Sequence, residues 1–153
     1  MAQILLNNIR VFFRRSDEKQ LEQFLCGKGK DDKDRYIEDI LAHDNDWWEN
    51  THDYIKWLFP VDKRSKYNRT APIVKTPVTI QAPFMPDSYI RFRKFLNETD
   101  WKSHYHNQLR ITRVLRSLSL FGYTELSEGF LKELLADESL EDSLEIWKKN
   151  TNI

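Results

Sequence analysis

The segment Asn107-Gln108-Leu109-Arg110-Ile111-Thr112-Arg113-Val114-Leu115-Arg116-Ser117-Leu118 constrains this chain more than any other. Its apolar residues recur at steps of three and four, so it reads as a helix with an inward arc of Ile111, Val114, Leu115, Leu118 and Phe121. His106, Arg110, Arg113 and Ser117 fall on a narrow polar stripe, with Leu109 and Leu120 beyond it. Apolar residues on both flanks imply that the stripe is itself partly covered. A covered guanidinium needs a partner, because an unpaired charge out of water is very unfavourable. Two kinds of partner fit. One is an acid of the preceding segments, such as Glu49, Asp53 or Asp39. The other is an external carboxylate or phosphate, forked by Arg110 and Arg113 with His106 and Ser117 assisting. Internal pairing is the commoner fate of a buried charge, and the sequence leaves both open.

Helical period extends over most of the chain. Short helices are expected over Ser16–Cys26, closed by Gly27, and over Asp34–Leu41. A longer one begins at Asp46, with Glu49 three residues on as in a capping box, and runs to Phe59, where Pro60 stops it. Trp47, Thr51, Tyr54 and Leu58 form one ridge of that helix, Trp48, Ile55 and Phe59 lie beside it, and Trp57 lies on the opposite flank. So wide an apolar arc belongs in the middle of a domain, and the tryptophans read as core rather than as a stacking platform. Residues 60–86 carry Pro72, Pro77, Pro83 and Pro86 and read as a long loop with one short strand or turn at Val78–Gln81. A loop this long in a compact domain functions or packs as a strap. Helices follow from an Asp87-Ser88 cap to Asn97, from Lys102 or Ser103 to Phe121 with Gly122 as C′, from Thr124 or Ser127, and from Ser139. The expected architecture is a single all-α domain over 1–153, with about six or seven helices and one long proline-rich loop.

Composition agrees. With 40% apolar and 13% aromatic residues the chain can bury a core, and four glycines with five prolines leave few turns for an all-β fold. The lone Cys26 makes no internal disulfide and reads as a bystander thiol in a reducing compartment. The apolar cluster from Ile4 to Phe13 is broken by Asn7, Asn8 and Arg10 and is too short to span a bilayer, so a soluble, cytoplasmic protein is expected. Formal net charge is zero but unevenly spread. Residues 1–60 hold nine Lys/Arg against twelve Asp/Glu, residues 61–121 twelve against four, and residues 122–153 three against eight. The basic middle either faces an anionic partner or pairs with the acidic ends.

Sites for chemistry are sparse. His104 and His106, two apart, are expected on opposite sides of a helix and make a poor metal pair; His43-Asp44 and His52-Asp53 add no ligand spacing. No metal, cofactor or catalytic residue is expected. Phosphate loops, dinucleotide fingerprints, nucleophile elbows and zincin helices are absent from the sequence.

Two stretches carry a family resemblance. His52-Asp53-Tyr54-Ile55-Lys56-Trp57-Leu58-Phe59-Pro60 resembles the H-x-Y-I-Q-W-L-F-P hallmark of the opioid growth factor receptor family, with Lys56 for glutamine. Trp101 to Leu118 resembles that family's tryptophan followed by S-H-x-x-L-R-I-T-R-I-L-x-S-L, with a short insertion and Val114 for isoleucine. Arg35-Tyr36, Glu38 to Leu41, and Ser65, Asn68 and Ala71-Pro72 also fit, so the resemblance covers roughly residues 9–135. It is to the conserved region as found in short, microbial-type homologues. The resemblance implies a non-enzymatic module with receptor-like binding of a peptide or protein, and peripheral association with the nuclear envelope.

The leading expectation is therefore a peptide- or protein-binding module. Its contact surface comprises the stripe His106, Arg110, Arg113 and Ser117 and the basic loop Lys63, Arg64, Lys66 and Arg69. An alternative is nucleic-acid association through the basic middle, residues 61–121. A third is an unrecognised hydrolase using His52 and Asp53, or His106.

Overall fold

The computed structural model describes residues 18–64 and 69–151. The apolar cluster at residues 4–13, Ser16, and residues 65–68 with Lys66 lie outside the described residues. Among the described residues there are eight α-helices: α1 (18–25), α2 (Ile37–Ala42), α3 (Asn45–Asn50), α4 (Ile55–Leu58), α5 (Met85–Glu98), α6 (Tyr105–Leu120), α7 (Thr124–Leu135) and α8 (Glu141–Thr151). Short 3-10 turns, Trp101–Ser103 and Glu138–Leu140, precede α6 and α8. The domain is all-α, as its periodicity implies. Among the described residues no helix is long and apolar enough to cross a membrane.

The principal departure lies between Asp46 and Phe59. Asp44, not Asp46, caps the first helix, its Oδ1 accepting from the Trp47 N–H at 2.9 Å. The helix then stops at Asn50, and α4 starts afresh at Ile55. One straight helix would leave Trp57 on the flank opposite Phe59. The break lets Trp48, Tyr54, Trp57, Leu58 and Phe59 all enter one core. Trp48 anchors it, its indole N–H donating to Ile40 O at 3.0 Å and its own carbonyl accepting from Tyr54 Oη at 2.6 Å. Trp147 is equally buried, so these tryptophans are core.

The long loop packs as a strap. Val61, Ala71, Val74 and Ala82 are buried along it, and an isolated parallel bridge joins Val61 to Ile73. The local pairing falls there and not at Val78–Gln81, where no strand forms. Tyr123 Oη donates to Ala82 O at 2.7 Å and ties the strap's end to the α6–α7 turn. Helix α5 begins two residues earlier than Asp87, with Pro86 in its first turn, where the missing N–H has no intrahelical acceptor to lose.

Helices α6, α7 and α8 pack on one another at the C-terminal side. Ile111, Val114, Leu115 and Leu118 are fully buried, as the inward arc requires, and meet Phe130, Leu131, Leu134, Leu140 and Trp147. Leu135, at the end of α7, is 38% exposed. Ser127 Oγ donates to Leu115 O at 3.0 Å, and Ser119 Oγ reaches Thr151 O at 3.0 Å, joining all three helices.

Helix α6 ends in a Schellman turn: Tyr123 N–H donates to Leu118 O and Gly122 N–H to Ser119 O, with Gly122 at φ 84°. A Cβ on Gly122 would meet nothing within 4 Å, whereas one on Gly27 (φ 77°) would lie 2.8 Å from the Phe84 ring. Gly122→Ala should therefore lower stability by about 1 kcal/mol through backbone conformation alone. Gly27→Ala should cost more, and urea denaturation of the two variants measures the difference as packing.

Candidate functional site

Beyond His106, the polar stripe of α6 meets backbone, not acids. Arg110 is 5% exposed and spans the break between α3 and α4. Its Nη1 donates to Trp48 O and its Nη2 to Thr51 O, both at 2.8 Å. The α3–α4 break frees these carbonyls from helical bonding, and burial denies them water, so they need a donor. A planar guanidinium serves both from one side chain, and its charge also suits the negative end of α3. The faces of Tyr54 and Phe95 lie 5.5 and 5.8 Å from its centre. Burial holds the Arg110 guanidinium below its ordinary value, while Tyr54 and Glu49 oppose that.

The same pattern continues along the stripe. Arg113 Nη1 donates to Phe59 O at 3.2 Å, and Ser117 Oγ to Pro60 O at 2.8 Å. Successive side chains of one helix thus bind the carbonyls of the chain from Trp48 to Pro60. This corrects both expectations for the stripe. Glu49, Asp53 and Asp39 do not pair with its arginines: Asp53 pairs with Arg35 at 3.3 Å, and Glu49 faces His104, His106 and Asn107. Nor do His106, Arg110, Arg113 and Ser117 surround one anion. Ser117 is fully buried against Pro60, Arg110 has its donors committed, and His106 lies toward Glu49.

A basic cleft lies beside the stripe instead. It holds about 610 Å³ between α4, the strap, α6 and α8. Ile55, Val61, Leu109 and Ile146 provide apolar lining, and Lys56, Lys63, Arg64, Arg110, Arg113, Arg116 and Lys149 line it with cations. Among the described residues, none that lines it is acidic. Several of these charges are already engaged. Arg116 grips Asp62 with two bonds of 2.7 and 2.9 Å, and Arg64 donates to the carbonyls of Arg69 and Ala71 within its own loop. Lys56, Lys63, Arg113 and Lys149 make no ion pair among the described residues. For Arg113 burial alone pushes the guanidinium down to about 10, so it stays charged at neutral pH, and it pairs with no carboxylate among the described residues.

The basic loop therefore divides. Lys63 and Arg64 reach the cleft, and Arg69 is exposed outside its lining. Lys56 and Lys149, not among the expected residues, join from α4 and α8. Lys56 stands in the first family-like motif, a signal within sequence reach, whereas Lys149 arrives only because α8 folds back on α6. The basic middle is not one face either: Arg91 donates to His43 O, Arg93 pairs with Glu133, and Lys102 with Asp137. For the hydrolase expectation, Asp53 orients on Arg35 and Lys33, while His52 Nδ1 lies 3.5 Å from Arg110 Nη2.

Two measurements probe these contacts. Arg110→Met leaves Thr51 O without its donor and Trp48 O with Tyr54 alone, and should destabilise by roughly 2–4 kcal/mol in urea denaturation, with Arg110→Lys recovering only part. The hydrogen bonds from Arg116 hold the Asp62 carboxyl below its ordinary 3.8. A depressed carboxylate contributes stability above its unfolded value and loses it as pH falls through the folded one. Asp62→Asn should thus be less stable than wild type at pH 7, with the difference shrinking as pH drops below 3.8.

Comparison with known proteins adds an independent line. Residues 90–151 match a family described as "Opioid growth factor receptor (OGFr) conserved region". The second motif lies inside that match and the first precedes it. "Opioid growth factor receptor-like protein 1" of Mus musculus is 26% identical over 138 residues, covering 71% of this chain and 30% of the relative. The Rattus norvegicus protein of the same name gives the same figures. The chain thus spans less than a third of the length of these relatives. No solved structure matches.

Proposed function

We propose, for a chain whose residues 90–151 carry the opioid growth factor receptor conserved region, that this domain is a non-catalytic binding module and that the basic cleft is where it takes its partner. The observation that carries this reading is Arg113, a mostly buried guanidinium lining an open cleft with no carboxylate paired to it among the described residues. Buried charges are ordinarily paired, so a partner carboxylate completes the site. Lys56, Lys63 and Lys149 around the mouth favour an acidic segment, and Leu109 and Ile146, both largely exposed, favour apolar side chains within it. An acidic peptide with interspersed apolar residues satisfies both. The relatives' name, with its reference to a receptor for a growth factor, is in keeping with a peptide ligand.

A nucleic-acid partner fits less well. Arg91, Arg93 and Lys102 are engaged elsewhere on the surface, which leaves a short basic patch and not an extended stripe.

The test uses a fluorescent acidic-amphipathic peptide and a single-stranded oligonucleotide of equal charge. The peptide should bind the more tightly, and Lys63→Glu with Lys149→Glu should weaken it at least about tenfold with the helical circular dichroism intact. Arg113→Gln should weaken it further. Equal peptide affinity in wild type and double reversal would sink the cleft. Tighter oligonucleotide binding with a steep salt dependence would favour the nucleic-acid reading.

A further inference from the structure

At the opposite end of the stripe from Ser117, three side chains that the basic cleft does not use converge. Glu49 comes from the last turn of α3, His104 from the residue before α6, and His106 from its first turn. One ligand atom from each lies within 4.8 Å of the other two. The geometry points to a site for a divalent transition-metal ion of the zinc class, held by Glu49 Oε1, His104 Nε2 and His106 Nε2.

The separations suit a metal. Tetrahedral zinc with ligands at about 2.0–2.1 Å puts neighbouring ligand atoms about 3.3 Å apart. His106 Nε2 lies 3.3 Å and His104 Nε2 3.5 Å from Glu49 Oε1. His106 Nε2 is nevertheless buried without a hydrogen-bond partner. The two groups approach without the alignment of a direct bond, as expected when both lone pairs aim at a third point. The imidazoles need the proton on Nδ1 to present Nε2 to an ion.

The backbone explains why two histidines at this spacing meet. His104 is not helical: at φ −120° and ψ 109° it links the 3-10 turn to α6. As the non-helical N-cap residue, His104 can turn its side chain back over the first turn of α6, where His106 sits. The carboxylate is also oriented, since Asn107 Nδ2, fixed on Trp101 O at 3.3 Å, donates to Glu49 Oε2 at 3.2 Å and, at a longer 3.4 Å, to Oε1. Such an outer contact holds the carboxylate in place beside the two imidazoles. Arg110 is the adverse charge nearby. Its donors point away, onto Trp48 and Thr51, and Glu49 offsets it. His104 is 54% exposed on its side chain, so the fourth coordination position opens to solvent and takes water or a donor atom from a partner. The bound ion would tie α3 to the start of α6 across the same junction that Arg110 spans.

The experiment is zinc titration of the full chain free of any histidine tag, by competition with a chromophoric chelator, repeated with cobalt for its visible absorption. Wild type should take one zinc per chain and give the intense tetrahedral cobalt band. His104→Ala and Glu49→Gln should each weaken zinc at least about tenfold, and His104→Ala with His106→Ala should abolish both binding and band. His43→Ala, a histidine outside the cluster, should leave the affinity within about twofold. Since His104 is exposed, its replacement does not endanger folding. Wild type binding zinc no more tightly than the double variant, or His43→Ala weakening it as much as His104→Ala, would overturn the site. None of these variants touches the cleft, so the acidic-peptide reading stands or falls separately.

Discussion

The guanidinium of Arg110 on the carbonyls of Trp48 and Thr51 is the contact on which the surrounding architecture depends. A six-residue helix cannot end inside a domain unless its last acceptors find donors. Arg110 supplies them from a helix about sixty residues away in sequence, and so lets α3 stop where it does. That stop redirects the chain through Thr51–Tyr54 and allows Tyr54, Trp57, Leu58 and Phe59 to be buried together. Arg113 on Phe59 O and Ser117 on Pro60 O extend the arrangement, so that one face of α6 is a ladder of donors for one stretch of non-regular backbone.

The ladder accounts for how charge is distributed in this domain. A guanidinium bound to carbonyls satisfies dipoles without being neutralised, and its charge remains to act on its surroundings. Arg110 and Arg113, which make no ion pair among the described residues, leave a positive interior edge, and the cleft forms along that edge. Asp62 neutralises Arg116 alone. Where acids do enter, they form separate groups: Asp31 and Asp53 around Arg35, and Glu49 among His104, His106 and Asn107. The positive cleft and the Glu49 cluster therefore lie beside Arg110 without sharing a side chain.

Legibility in the sequence followed the range of the interactions involved. The inward arc of α6, the Schellman glycine Gly122 and the proline stop at Pro60 are local, depending on period and backbone preference, and they stand as read. The burial of Trp48, Trp57 and Trp147 was legible from their spacing among other apolar residues. The α3–α4 break was not. Nothing within Asp46–Phe59 disfavours a continuous helix strongly, and where it breaks is decided by which carbonyls tertiary donors can reach. His104 was misplaced for a related reason: a helix start drawn two residues early reverses the direction of its side chain.

The sequence by itself determined the all-α class, most helix positions, the core-facing residues of α6 and the resemblance carried by its two motifs, because each rests on contacts within a few residues. It also determined that the arginine stripe is covered and needs partners. What those partners are only the tertiary structure decided. Backbone carbonyls leave no mark in the residue pattern, and their availability depends on where a distant helix breaks. The same holds for Lys149 and Lys56 meeting across the cleft, and for Glu49 meeting two histidines more than fifty residues on: convergence of this kind is set by packing, which no local spacing encodes.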